Sequence, residues 1–176
     1  MLPWQGAVML AALAIVVATA PMCRAVDARG RSSWRVAAVH DGDTVTAVDA
    51  SGRRQRIRLV GIDAPELDQP MGRQARAALA ARVEGRALAV EGTARDQHGR
   101  LLAILWAGDS NVNQSLVADG WAWAFTGFGD DDALVDLEAT ARHAHRGLWA
   151  DPHPIAPSAW RERHPSQSSK PGAGSP

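Results

Sequence analysis

The chain has one cysteine, Cys23, and no tyrosine among its 176 residues. With no second thiol there is no disulfide to brace the fold in any compartment, so stability must rest on a hydrophobic core. No zinc-type Cys/His spacing, no dinucleotide or P-loop glycine pattern and no internal repeat is present. Net charge is missing as well. Nineteen basic and nineteen acidic residues cancel, which argues against a protein that coats nucleic acid by bulk electrostatics but leaves room for a local basic cleft. Long apolar runs are scarce: the main one, Ala7 to Ala20, falls short of the roughly 20 residues of a membrane span.

That run suits the apolar part of a secretion signal, and Cys23-Arg24-Ala25 follows it as a small-x-small cleavage site. The expectation is a signal peptide over 1–25, a mature chain beginning at Val26 with a polar arm over 26–33, and export to the periplasm or medium. The alternative is a membrane anchor through an uncleaved N-terminal segment. After cleavage no stable membrane association is expected. Hydrophobic residues at 46% and charged residues at 22% are ordinary for one globular domain, placed at 34–163 and followed over 164–176 by a low-complexity tail expected to be disordered.

Within the domain, Arg35–Val39, Asp43–Val48 and Gln55–Ile62 alternate as half-exposed strands, with Asp49-Ala50-Ser51-Gly52 as the turn between the last two. Leu67–Gly72 reads as a loop. Ala75, Leu79 and Val83 recur every four positions on a helix that starts near Met71 and ends at Gly85. Ala87–Glu91 and Leu101–Trp106 complete five strands. A short helix at Val112–Ala118 and a final one at Asp132–Arg146, its acidic start suited to the helix dipole, follow. Trp123, Trp149 and Trp160 read as packing residues before base-stacking ones. His143 and His145, two apart on a helix, face different directions and cannot form an i, i+4 metal pair.

The chemistry concentrates between Asp41 and Glu66. Asp41-Gly42-Asp43 heads one strand and Asp63 ends the next, so a paired hairpin brings carboxylates to one rim. Ala64, held extended by Pro65, can add a main-chain carbonyl. Such oxygens suit a hard cation such as calcium, and Glu66 is left to act on a water. Arg58 has the planar fork that grips phosphate oxygens. Taken singly, the acidic turn and the arginines Arg53, Arg54, Arg56 and Arg58 would read as a turn and a solvated strand face. Together they describe metal-assisted attack on a phosphodiester.

Asp41-Gly42-Asp43-Thr44, then Arg58 through Glu66 (RLVGIDAPE), then Asp96-Gln97-His98-Gly99-Arg100, resemble the three signature blocks of the staphylococcal nuclease family in order and spacing. The similarity runs from about Trp34 to Trp160 and takes in Val112-Asn113, Gly120-Trp121-Ala122-Trp123 and Gly147–Asp151. It implies an α+β, mainly β fold: a five-stranded OB-type Greek-key barrel with three helices. It implies calcium on Asp43, Asp63 and the Ala64 carbonyl, Glu66 as base or water-positioning group, and Arg58 and Arg100 on the phosphate.

The function implied is an exported, calcium-dependent nuclease, monomeric, acting on DNA and RNA with weak sequence preference and leaving 3′-phosphate ends. The rival is a catalytically silent nucleic-acid- or protein-binding module on the same barrel. Gln97 and His98 stand where the family's type member has lysine and tyrosine, Leu67-Asp68-Gln69-Pro70 is not basic, and tyrosine is absent near Phe125. These departures bear on the grip on substrate more than on the chemistry.

Overall fold

A computed structural model describes residues 33–125, 127 and 132–165. The expected signal peptide, most of the expected arm, the acidic residues before Asp132 and most of the expected tail lie outside the described residues. Strand β1 (Ser33–Val39) pairs antiparallel with β2 (Thr44–Asp49), and β2 with β3 (Arg54–Leu59). On its other edge β1 meets β5 (Leu88–Glu91), which pairs with β6 (Leu101–Ala107). A parallel pairing of β6 with β3 closes the barrel. Period-two alternation sends Val45, Ala47, Ile57, Leu59, Ala103 and Leu105 inward, each fully buried.

The expected strand Gln55–Ile62 is broken. β3 ends at Leu59, and a two-residue strand, β4 (Ile62–Asp63), leaves the barrel to pair with β8 (Trp123–Ala124). The break sits at Val60-Gly61. Gly61 has φ 76°, a backbone conformation that favours glycine, and a Cβ there would also push the Leu134 side chain aside from 2.7 Å. Val60 donates its N–H to the Ala103 carbonyl at 3.0 Å, and its own carbonyl accepts from Asn113 at 2.9 Å. Asn113 is buried, and its Oδ1 also accepts from Leu105 N at 3.1 Å. This one side chain therefore ties the break to β6.

Helix α1 (Gly72–Val83) packs Ala75, Leu79 and Val83 on the barrel, as the spacing requires. A short strand, β7 (Ser110–Asn111), leads into α2 (Val112–Ala118), which begins under an Asn111 side-chain cap. Helix α3 (Asp132–His143) stops three residues earlier than expected; His145 and Gly147 take φ of 51° and 53°, and a 3₁₀ turn (Gly147–Ala150) carries Leu148 and Trp149 inward. The described residues hold four helices rather than three. The addition is α4 (Pro157–Arg163), seven residues opened by proline and too short to show a periodic stripe. No helix among the described residues is long and apolar enough to cross a membrane.

The tryptophans divide. Trp149 is buried, meets Trp123 edge-on at 5.0 Å and carries the Arg142 guanidinium on its face at 3.8 Å. Trp160 departs from the core expectation: it is only half-buried on α4, stacks on His164 at 3.8 Å and reaches Asp68 with its indole N–H.

Candidate active site

The first carboxylates are set by a tight turn. Asp41 Oδ1 accepts from Asp43 N at 3.0 Å, and Asp43 returns its carbonyl to Leu59 N at 2.8 Å, which locks the turn to β3. A Cβ on Gly42 would fall 2.6 Å from Ala64 Cβ and 2.9 Å from Ala75 Cβ. Only glycine allows the turn, the Ala64 segment and α1 to meet. Asp43 Oδ2 then accepts from Ala64 N at 2.9 Å, and Asp43 and Asp63 lie together, each about 6% exposed.

Arg58 brackets the pair. Its Nη1 donates to the carbonyls of Leu59 (2.6 Å) and Ile62 (2.8 Å), Nη2 donates to Asp63 Oδ1 (3.1 Å), and Nε stands 3.1 Å from Asp43 Oδ1. Period-two alternation explains its position: Ile57 and Leu59 face the barrel interior, so Arg56 and Arg58 share the opposite face of β3. Burial, with Asp41 and Asp63 adding to it, pushes the Asp43 carboxyl up to about 7 against the pull of Arg58 and the Ala64 N–H.

Glu66 is placed by its backbone: Glu66 N donates to Gln69 Oε1 at 3.2 Å, and Gln69, itself buried, donates to the Ile155 carbonyl at 2.7 Å. Arg100 immediately precedes β6, just beyond the turn that Gly99 closes with φ 75°. Asp96 Oδ1 accepts from Arg100 N at 2.9 Å, and Asp96 Oδ2 from Arg100 Nε at 2.7 Å. Partial burial alone would raise the Asp96 carboxyl, but the hydrogen bonds from Arg100 and the His98 N–H prevail and hold it below its ordinary range.

Asp43, Arg58, Asp63, Ala64, Glu66 and Arg100, the six residues singled out in the sequence, all line one cleft of about 910 Å³. Gln97, His98 and Phe125 lie on it too, together with Arg56 and Arg95. Trp123 does not; it packs on Trp149. Two charged cleft residues, Arg95 and Arg161, escaped the sequence reading. Arg161 of α4 donates to Asp63 Oδ2 and to Glu66 Oε1, each at 2.9 Å, and these hydrogen bonds hold it more firmly protonated than usual. An arginine 98 positions from its partner carries no local signal.

Two buried carboxylates beside a main-chain segment form an all-oxygen donor set, which fits a hard cation. Among the described residues no group of three or more His, Cys, Asp or Glu side chains is arranged to hold a metal ion. Two side chains are all the inferred site supplies, its third ligand being main chain.

A profile described as "Staphylococcal nuclease homologue" matches residues 56–151. An "Uncharacterized endonuclease" of Escherichia coli O157:H7 is 42% identical over 130 residues, 73% of this chain and 84% of that protein. Another "Uncharacterized endonuclease", from Haemophilus influenzae, is 30% identical over 156 residues, covering 89% and 85%. The "Probable staphylococcal-like nuclease CAN2" of Oryza sativa subsp. japonica is 35% identical over 109 residues, 62% of this chain but 30% of its own length. With the closed barrel and the cleft that gathers all three signature blocks, these matches establish that the chain belongs to the staphylococcal nuclease family.

Proposed function

We propose that this protein is an exported, calcium-dependent nuclease that hydrolyses phosphodiester bonds of DNA and RNA and leaves 3′-phosphate ends. The observation that carries the reading is the meeting of Asp43, Asp63, Glu66, Arg58 and Arg100 in one cleft. Asp43, Asp63 and the Ala64 carbonyl are the residues to hold calcium. When bound, the cation supplies positive charge against a phosphate oxygen and the incoming water.

The chain's own residues do the rest. Glu66 orients or deprotonates the attacking water, from a loop steadied by Gln69. Arg100, aimed by Asp96, and Arg58 meet the charge that grows on the phosphate oxygens. Arg58 has a second task that the sequence did not suggest, since most of its donors hold the metal-site carboxylates and two carbonyls in place. Phosphate contacts carry no base information, so sequence preference is weak. The apolar run and Cys23-Arg24-Ala25 support export with Val26 as the first mature residue.

The test is incubation of the purified protein with DNA and with RNA, in calcium and in excess chelator, followed by analysis of the ends. Cleavage that requires calcium and leaves 3′-phosphates is expected. Undiminished cleavage in chelator removes calcium from the account, and binding without cleavage under any divalent metal gives the case to the silent module. N-terminal sequencing of exported material tests Val26, and full-length chain found only in membranes would reject it.

A further inference from the structure

Arg161 occupies the oxygens that the inferred chemistry needs. Its Nη2 donates to Asp63 Oδ2 at 2.9 Å, and its Nη1 to Glu66 Oε1 at 2.9 Å and to Asp63 Oδ1 at 3.3 Å. Calcium takes carboxylate oxygens at roughly 2.3–2.6 Å, so a cation on Asp63 claims lone pairs that the guanidinium now uses. Asp63 Oδ1 already accepts from Arg58 as well, so a doubly charged cation bound there repels both guanidinia at close range and competes for the same lone pairs. The more exposed guanidinium is the one to give way.

The structure makes the arginine the one able to move. Helix α4 is anchored away from the Arg161 side chain: Pro157 is buried, the Ile155 carbonyl accepts from Gln69 at 2.7 Å, and Trp160 reaches Asp68 at 3.4 Å. The Arg161 side chain is 47% exposed, against 17% for Arg58. Rotation about its own bonds carries the guanidinium off the carboxylates while the helix stays docked. The space it turns into is the cleft lined by Arg56, Arg58, Arg95 and Arg100, where a phosphate diester would lie and where an arginine fork matches two phosphate oxygens.

We propose that Arg161 is a metal-exchanged phosphate ligand: it holds Asp63 and Glu66 in the metal-free protein, a divalent cation displaces it, and the released guanidinium binds the substrate phosphate. This rests on the reading of the cleft as a divalent-metal nuclease site. Metal binding and substrate binding are thereby coupled through one side chain, because only the loaded site has a free Arg161 to offer.

The test is calorimetric titration of calcium, without nucleic acid, into the full-length protein and its Arg161→Gln variant. A guanidinium parked on the carboxylates about nine-tenths of the time reduces apparent metal affinity about tenfold, so Arg161→Gln should bind calcium about tenfold more tightly. Arg161→Lys, which keeps a cation but not the fork, should fall between. In saturating calcium the effect should reverse for a single-stranded oligodeoxynucleotide, measured in a Glu66→Gln background to prevent cleavage. Adding Arg161→Gln there should weaken binding and lower the slope of log affinity against log salt by about 0.7, the loss of one phosphate contact. Calcium affinity that is unchanged or lower in Arg161→Gln overturns the proposal. So does tighter calcium binding with oligonucleotide affinity and salt slope unchanged. A wild type that binds no divalent metal overturns the nuclease reading along with it, which keeps the two failures apart.

Discussion

Arg58→Lys separates two roles that the native residue combines. If arginine served only to grip phosphate, the change would lower turnover and leave the metal-free protein as stable as before. The structure predicts otherwise. Lysine keeps one charge and can reach one carboxylate, so the two donations to the Leu59 and Ile62 carbonyls and one carboxylate contact are lost. Hydrogen bonds to carbonyls contribute about 0.5–1.5 kcal/mol net and those to charged groups about 1.5–3. With Arg58 17% exposed and its carboxylates 9%, water recovers only part of the loss, so a destabilisation of about 2–4 kcal/mol is expected. Urea unfolding in chelator, followed by fluorescence of the buried Trp34 and Trp149, reads this as a midpoint lower by about 1–2 M at an m-value near 2 kcal/mol/M. Activity falls in the same variant because Asp43 and Asp63 are no longer held in register. A stability loss under about 0.5 kcal/mol with turnover abolished would refute the bracket and leave the phosphate role alone.

Glu66→Gln keeps the shape of the side chain and removes its basicity, so turnover should drop by roughly 10²–10⁴ while oligonucleotide affinity is retained or improved; equal rates would remove Glu66 from the chemistry. Asn113→Ala removes the partners of Leu105 N and of the Val60 carbonyl, while the Ala103 carbonyl keeps the Val60 N–H, and should cost about 2–4 kcal/mol in urea unfolding. Asp96 carries a pH signature. Its folded value lies below the ordinary 3.8, so its stabilising contribution is present above that pH and is lost as the pH falls through the folded value. The stability gap between wild type and Asp96→Asn should therefore be open at pH 7 and close toward pH 3; a gap independent of pH would show that Arg100 does not depend on the Asp96 charge.

The residues of the candidate site were readable because their spacing is local. Asp41-Gly42-Asp43 forms its turn through a bond two residues long, Asp63 and Glu66 stand three apart around Pro65, and Arg100 pairs with Asp96 within one turn. Helix α1 was readable for the same reason, since its buried face recurs within each turn. The break at Val60-Gly61 was not readable. It exists because Gly61 turns the chain with φ 76° and because the Asn113 side chain of α2 takes the Val60 carbonyl that a longer strand would have used. Trp160 reads as core because indoles usually bury, but α4 buries Pro157 and leaves Trp160 half-exposed against His164 and Asp68.

The sequence by itself determined the barrel's strand alternation and pointed to Asp43, Asp63, Arg58 and Arg100, because turns, period-two faces and i, i+3 or i, i+4 spacings act over a few residues. Only the tertiary structure decided that β3 and β6 close the barrel, that Arg58 braces Asp43 and Asp63, and that Arg161 reaches Asp63 and Glu66 from α4. A guanidinium on a seven-residue surface helix finds its carboxylates through the docking of Pro157, Ile155 and Trp160. Contacts of that kind depend on how the whole chain packs, and no spacing within α4 encodes them.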